Sequence, residues 1–282
     1  MAITINTNMA SLIVQKNLSS ATTSLNDAIE RMSTGYKINH AKDNAAGYSI
    51  ASSWTTKLGS LDVATQNASM GADLLKTAEE NYSLITAHLQ RVRDLTEQAA
   101  NGTYGSDSLK AIKSEITARL TEVDRIAANA EFNGIALMKG AGTAINLQVG
   151  LDATANSKIT LEAALFAAAD TTTLLGKDAA AFAADCVGSK TAAAQLATID
   201  AAISTKISTS VTSIGAAQNR VDSAIGALGV QSENLTSSLS TIKDADVAEE
   251  SSNYIKAQIL QQASATLLAT ANQMPSIALN LI

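Results

Sequence analysis

Few side chains in this sequence of 282 residues have the type and spacing that catalysis requires. Its two histidines, His40 and His88, lie far apart, and neither is part of the H-E-x-x-H pattern that places a zinc site on a helix. The single cysteine, Cys186, has no histidine or basic cluster beside it, so we expect a packed thiol rather than a nucleophile. The glycine-rich motifs that hold phosphate groups do not occur.

Adjacent carboxylates occur at Glu79–Glu80 and at Glu249–Glu250. Two carboxylates can share acid and base roles in catalysis, but neighbours in a helical sequence more often form a solvated face. We expect solvated faces at both places. The sequence therefore predicts no enzyme, no cofactor and no metal site.

The charge and hydropathy patterns exclude two further classes of protein. A formal net charge of −6 argues against nucleic-acid binding, which needs a basic surface to neutralise phosphates. No apolar run approaches the roughly 18 residues of a membrane-spanning helix, so the sequence predicts no membrane insertion. Residues 1–15 contain no basic side chain, unlike a secretory signal peptide.

The composition favours long helices that pack along narrow seams. The sequence contains one proline, a residue that interrupts helices because it lacks the backbone N–H group. Aromatic residues make up 3% of the chain, which leaves little to fill a thick globular core. We expect a mainly α-helical fold, with long antiparallel helices or a coiled coil from both chain ends and a small β-hairpin region in the middle.

Heptad spacing marks both ends of the chain. Alternating intervals of four and three residues predict a helical seam that ends near Gly35, formed by Val14, Leu18, Ala21, Leu25, Ala28 and Met32. At the other end, large apolar residues follow at intervals of seven. We expect the two ends to pair, with an inner-core self-assembly face formed by Leu18, Leu25, Met32, Leu260, Leu267 and Met274.

Charged side chains are nearly absent from the same ends. Residues 257–282 contain none, and Lys16 is the only one among residues 1–26. The outer face of a soluble helix normally carries Lys and Glu, whereas here it carries Asn, Gln, Ser, Thr and Ala. We therefore expect the paired ends to be buried by other copies of the protein.

Between the ends, the pattern predicts a helix over residues 44–99 and a returning helix over residues 109–127. The turn dipeptides Asn101–Gly102 and Asn133–Gly134 end them. Period-two alternation predicts strands at residues 145–149 and 159–161. Residues 162–190 are weakly patterned and give no prediction.

Several ordered motifs resemble those of bacterial flagellin, the subunit of the flagellar filament. In the N-terminal half they include RMSTGYKINHAKDNAAG at residues 31–47, LQRVRDL at residues 89–95 and EFNG at residues 131–134. In the C-terminal third they include AQNR at residues 217–220, IKDAD at residues 242–246 and ANQMP at residues 271–275. Residues 162–190 lie outside the pattern.

The resemblance implies a short flagellin with little or no outer domain. Residues 1–43 plus 244–282 would form the terminal coiled-coil inner core, and residues 44–161 plus 191–243 a helical bundle with a β-hairpin. Residues 162–190 would be a short variable insert. Near the join of the two layers, we expect contacts between subunits, or within the spoke that connects the layers, from Arg31, Lys37, Lys42, Asp244 and Asp246.

The resemblance also implies partners and a location. The chain would leave the cell through the flagellar type III export channel without a cleaved signal peptide, and would polymerise outside the cell for swimming motility. Its partners would be copies of itself, the flagellar export chaperone and export apparatus, the filament cap and the hook–filament junction proteins.

A further implied partner is the vertebrate Toll-like flagellin receptor of innate immunity. The residues that resemble its recognition patch are Leu89, Gln90, Arg91, Leu95, Gln98 and Glu115. Arg91, Leu95 and Glu115 would be the main contacts, although the same helix face can also meet neighbouring subunits. The alternatives for the whole chain are a hook–filament junction protein or another exported coiled-coil assembly protein.

Overall fold

The computed structural model describes residues 7–140, 144–152, 154–187 and 191–279, with side chains up to residue 273. Its residues group into two compact units. The terminal unit comprises residues 1–58 and 233–282, and the middle unit comprises residues 59–232. Two long helices, α2 (Ala45–Ala100) and α7 (Ser208–Lys243), contribute residues to both units. The predicted fold class is confirmed.

The terminal unit is built on α1 (Met9–Thr34) and α8 (Val247–Leu279). The side chain of Asn8 caps α1 by accepting the N–H of Ser11 at 3.1 Å. As predicted, α1 ends at Gly35, whose φ of 73° is the left-handed conformation that glycine adopts without strain. Side-chain contacts join Thr22 to Gln261 and Arg31 to Glu250, so the two helices run antiparallel.

Two backbone hydrogen bonds join the segments that follow α1 and α7. The N–H of Lys37 donates to the carbonyl of Lys243 at 2.8 Å, and the N–H of Ala245 donates to the carbonyl of Gly35 at 2.9 Å. We call this pair of bonds the backbone clasp. Just beyond it, Asp246 accepts the N–H of Ala248 at 2.8 Å and so fixes the start of α8.

The middle unit packs α2 and α7 with α3 (Ser106–Asn129) and α6 (Ala192–Ala201). A short π-helical segment, Ala202–Ile207, connects α6 to α7. Apolar positions three and four residues apart on these helices meet in one hydrophobic core. Its largest fully buried side chains include Leu75, Tyr82, Ile85, Leu89, Ile116 and Leu120.

Two hairpins extend the middle unit. Strands β1 (Glu131–Phe132) and β2 (Ile135–Ala136) are joined by Asn133 and Gly134, both with positive φ, as in a two-residue hairpin turn. The predicted β element is also confirmed, because β3 (Ile145–Gln148) pairs antiparallel with β4 (Lys158–Leu161). Gly71 of α2 permits close packing by this hairpin, since a Cβ atom there would lie 2.3 Å from Leu147.

The described part of residues 162–190 belongs to the core of the middle unit. It forms α4 (Thr171–Leu175) and α5 (Ala179–Cys186). Phe166 and Phe182 are 2% and 0% exposed and pack in the same cluster as α2 and α3. Cys186 is buried as predicted, and burial raises the pKa of its thiol to about 11.

Candidate self-assembly surface

The seam between α1 and α8 is lined mainly by small side chains. Heptad spacing brings the helices together, and the residues less than a tenth exposed include Ala21 and Ala28 on α1 and Ala257, Ser264 and Ala271 on α8. The predicted α1 positions Leu18 and Leu25 lie in this seam, half-buried. Because small side chains remove little apolar area from water, this seam contributes modest stability to a single chain.

On α8, the seam lies three residues away from the predicted leucine line. Leu260 and Leu267 are 49% and 56% exposed, so about half of each side chain stays accessible within the chain. Met32, at the end of the predicted α1 seam, is 38% exposed. Met274 lies outside the residues whose side chains the structure describes. The predicted leucine line and the seam thus share the interval of seven, but the buried row of α8 is the parallel row of small residues.

Large apolar side chains instead cover the outside of the helix pair. We call this set the outer apolar surface, and it consists of Met9, Leu12, Ile13, Ile29, Met32, Ile255, Ile259, Leu260 and Leu267, each more than a third exposed. Between these residues lie mostly uncharged polar side chains, and Lys16 is the one charged residue in the described ranges 7–26 and 257–273. An apolar surface of this kind marks a place where another macromolecule packs.

Polar contacts tie the two helices together along their length. The Nη1 atom of Arg31 lies 3.1 Å from Oε1 of Glu250. Further along, Gln261 Nε2 donates to Thr22 Oγ1 at 3.2 Å, and Ser11 Oγ donates to Asn272 Oδ1 at 2.8 Å. The solvated face predicted at Glu249–Glu250 is thus wrong for Glu250, which is 7% exposed, because α1 covers it and Arg31 supplies the opposite charge.

Other charged residues near the clasp also make contacts within the chain. Lys37 Nζ donates to the carbonyl of Thr241 at 2.8 Å, and Lys243 lies 4.1 Å from the centre of the Tyr36 ring. The backbone N–H groups of His40 and Asn39 donate to the carboxylate of Asp43. These bonds, above all the one from His40, lower the pKa of the Asp43 carboxyl group. Contacts of Arg31, Lys37, Lys42, Asp244 and Asp246 with other subunits remain a prediction.

The second predicted surface lies on α2 and α3 of the middle unit. Arg91 donates through Nε and Nη2 to Glu115 Oε1, at 3.1 and 3.0 Å, and both side chains are partly exposed. Gln90 and Gln98 are exposed. Leu89 and Leu95, in contrast, are 0% and 2% exposed, because they face the core. The accessible side chains of the predicted patch are therefore Gln90, Arg91, Gln98 and Glu115, and receptor contacts by any of its residues, Leu95 included, stay a prediction.

No cluster of three or more His, Cys, Asp or Glu side chains suited to a metal ion occurs among the described residues. His40 Nε2 lies 2.8 Å from Glu30 Oε1 at the surface, and Nδ1 of His88 has no hydrogen-bond partner. Glu79 and Glu80 are exposed, as predicted. Within the described ranges, no helix combines the length and apolarity needed to cross a membrane.

Family models match both ends of the chain. The bacterial flagellin N-terminal helical region matches residues 5–143, and the bacterial flagellin C-terminal helical region matches residues 196–282. The segment between the two matches contains α4 and α5.

Known proteins match the chain over nearly its whole length. Flagellin of Bacillus subtilis (strain 168) is 36% identical and flagellin of Xenorhabdus nematophila is 36% identical, covering 99% and 100% of both chains, respectively. The flagellar filament 30.7 kDa core protein of Treponema maltophilum is 32% identical over 95% of both chains.

A solved structure shares the fold at lower identity. A flagellar hook-associated protein of Vibrio parahaemolyticus superposes with a TM-score of 0.60, covering 72% of this chain and all of the other, at 13% identity. That level of identity supports a shared fold alone. The two family models and the near full-length identities of 31–36% agree with the helical motifs, and the chain therefore belongs to the flagellin family.

Proposed function

We propose that this chain is a structural subunit that polymerises into a bacterial flagellar filament and so serves swimming motility. One observation carries the proposal. In a chain of the flagellin family, the terminal helix pair buries small side chains while Ile259, Leu260 and Leu267 stay about half exposed.

The physical argument begins with the energetics of ordering the chain ends. Fixing the backbone costs about 1–2 kcal/mol per residue, and a seam of alanines and serines offsets little of that cost. Each large apolar side chain that becomes fully buried contributes roughly 1.5–3 kcal/mol. Copies that cover the outer apolar surface therefore supply the stabilisation that the isolated helix pair lacks. Contacts that do not close on themselves produce a helical polymer.

The domain assignment follows as part of the proposal. Residues 1–43 plus 244–282 would form the inner core of the filament, and residues 44–161 plus 191–243 the surrounding helical bundle. Residues 162–190 would be a short variable segment. Because Phe166 and Phe182 of that segment are buried, we expect it to vary mainly at its exposed positions.

The proposal also covers how the subunit leaves the cell and where it is added to the filament. We infer that the chain has no catalytic role and leaves the cell through the flagellar export apparatus, with an export chaperone and without a cleaved signal peptide. It would then join the filament between the hook–filament junction proteins and the filament cap.

Recognition by the vertebrate Toll-like receptor is a separate part of the proposal. The accessible side chains Gln90, Arg91, Gln98 and Glu115 would provide the contacts, and polymerisation would be the primary role of the chain. A receptor reporter assay with free subunits tests this part. We expect Arg91→Ala to reduce the signal at least about tenfold, as for a central arginine of an interface. An unchanged signal would remove the receptor from the proposal.

Electron microscopy of seeded polymerisation tests the filament function. Purified wild-type chains should form filaments, whereas the pair Leu260→Gln and Leu267→Gln should leave the chain in the supernatant after sedimentation. Thr266→Gln on the same helix is a matched control, because Thr266 is exposed and already polar. Normal filaments from the leucine double variant would contradict the proposed role of the terminal helices.

A further inference from the structure

Glu250 is a buried charge in a seam of small residues. Its side chain is 9% exposed and reaches Arg31, which is 36% exposed, at 3.1 Å. Arg31 lies in the last turn of α1 and Glu250 in the first turn of α8. A charged residue at a coiled-coil seam is costly, and its best-attested use is to specify how the helices align.

The small side chains alone distinguish poorly between alignments of the two helices. Ala257, Ser264 and Ala271 recur at intervals of seven on α8, and Ala21 and Ala28 do so on α1. A slip of one heptad therefore places one small residue where another was. The buried charge does not repeat in this way, because seven residues from Arg31 along the chain lie Ser24 and Ile38, both uncharged.

The backbone clasp holds the two helices at one end only. On one side, its residue Gly35 directly follows α1 in a left-handed turn. On the other side, Asp246 lies between its residue Ala245 and α8, which begins at Val247. Arg31 and Glu250 make the first side-chain ion pair between the helices beyond the clasp.

We propose that Arg31 and Glu250 are positioning residues that select the register of α1 against α8. By doing so, they determine which apolar side chains lie together on the outer apolar surface. The consequence for polymerisation rests on the proposed function, whereas the register is a contact between two helices of the same chain. Disulfide trapping measures it directly.

Three cysteine pairs report the register in a Cys186→Ala background. Thr22→Cys with Gln261→Cys reports the observed register, since Thr22 Oγ1 and Gln261 Nε2 are 3.2 Å apart. Thr22→Cys with Leu268→Cys, or with Tyr254→Cys, reports a slip of one heptad in either direction. In the observed register those positions are displaced by about 10 Å along the helix, too far for a disulfide. Intrachain disulfides are read on denaturing gels in both pellet and supernatant.

Two double variants distinguish selection of the helix register from a general contribution to helix stability. The charge exchange, Arg31→Glu with Glu250→Arg, should retain the Thr22–Gln261 disulfide and filament formation. The apolar pair, Arg31→Met with Glu250→Leu, should keep the helical content while the ratio of observed to slipped disulfides falls about tenfold, as expected when a register-specifying polar pair is removed. Either single charge reversal should lower the same ratio.

Two results would overturn the proposal. One is an unchanged disulfide ratio in the apolar pair, and the other is slipped disulfides in the charge exchange. Failure of the wild-type chain to polymerise would instead contradict the proposed function. In that case, an excess of the Thr22–Gln261 disulfide over both slipped pairs in the soluble chain would support the register, and equal yields of the three would contradict it.

Discussion

The terminal unit and the middle unit share the same helical spacing of apolar residues, but they bury side chains of different size. In the middle unit, Tyr82, Ile116 and Phe182 are at most 2% exposed and belong to one core. In the described part of the terminal unit, Ile38 is the one large apolar side chain less than a tenth exposed, and the other buried apolar residues are alanines. Helical periodicity thus shows that one face of a helix is buried. The size of the side chains buried within the chain shows whether a single chain can be stable without neighbouring copies.

The largest expected effect is the loss of a core side chain in the middle unit. Phe182→Ala should lower the free energy of unfolding by about 3–5 kcal/mol, because it opens a cavity in a fully buried site. Denaturant unfolding of unpolymerised chains measures the change. Leu84→Ala is the control, since Leu84 is 54% exposed on the same unit and should change stability by about 0.5 kcal/mol or less. Equal effects of the two variants would contradict the role of Phe182 in the core of the middle unit.

Truncating a side chain of the outer apolar surface should weaken polymerisation without changing the stability of the free subunit. Leu267→Ala should leave the unfolding free energy of the free chain within about 0.5 kcal/mol. The critical concentration for polymerisation should rise about tenfold or more, because burying a leucine contributes roughly 1.5–3 kcal/mol and 1.4 kcal/mol corresponds to a factor of ten. Sedimentation of filaments at several concentrations gives the value. A critical concentration equal to that of wild type would contradict a contribution of the exposed Leu267 side chain to polymerisation.

A smaller effect is expected where the β3–β4 hairpin packs on α2. Gly71→Ala should destabilise the middle unit by about 1–3 kcal/mol, because the new methyl group overlaps Leu147 and the site is already packed. The matched control is Gly226→Ala, where a Cβ atom meets no neighbour within 4 Å. That variant should stabilise the helix by about 0.5–1 kcal/mol. Thermal unfolding of both variants provides the comparison, and stabilisation by Gly71→Ala would show that the hairpin does not pack as described.

The smallest effect is expected at the exposed pair of the middle unit. Arg91→Ala should lower the unfolding free energy by less than about 1 kcal/mol, because exposed ion pairs are screened by water and salt. Glu115→Ala should have an effect of similar size, since its bond with Arg91 lies at the surface. A loss of several kcal/mol in denaturant unfolding would mean that this pair supports the core, and a fall in receptor signal could then reflect misfolding.

The sequence was sufficient to predict most of the helices and the β3–β4 strands. Near-absence of proline and long seams at intervals of three and four predict α1, α2 and α3, and period-two alternation predicts β3 and β4. Residues 162–190 gave no pattern because α4 and α5 are too short to complete several helical turns. The two phenylalanines at residues 166 and 182 were the available signal, since a chain with so few aromatic residues tends to bury them.

The candidate surface was predictable in kind but not in detail. Heptads without charged residues indicate a helix pair that other copies of the chain must cover. However, two rows of residues on α8 share the interval of seven, one beginning at Ala257 and the other at Leu260. Apolar size favoured the row with Leu260, whereas the buried row is the one with Ala257. Glu250 was missed because its partner Arg31 is 219 residues away in the chain. Long-range pairing of this kind has no local signal.

Hydrogen exchange in free subunits and in sedimented filaments tests the central claim most directly. Peptides from residues 8–34 and 247–273 should gain at least about tenfold protection in the filament, because only there are the terminal helices fully covered. Peptides from the core helices, such as residues 75–95, should show the same strong protection in both states. Equal protection of the terminal helices in free subunits and filaments would contradict the account, because their stability would then not come from other copies of the chain.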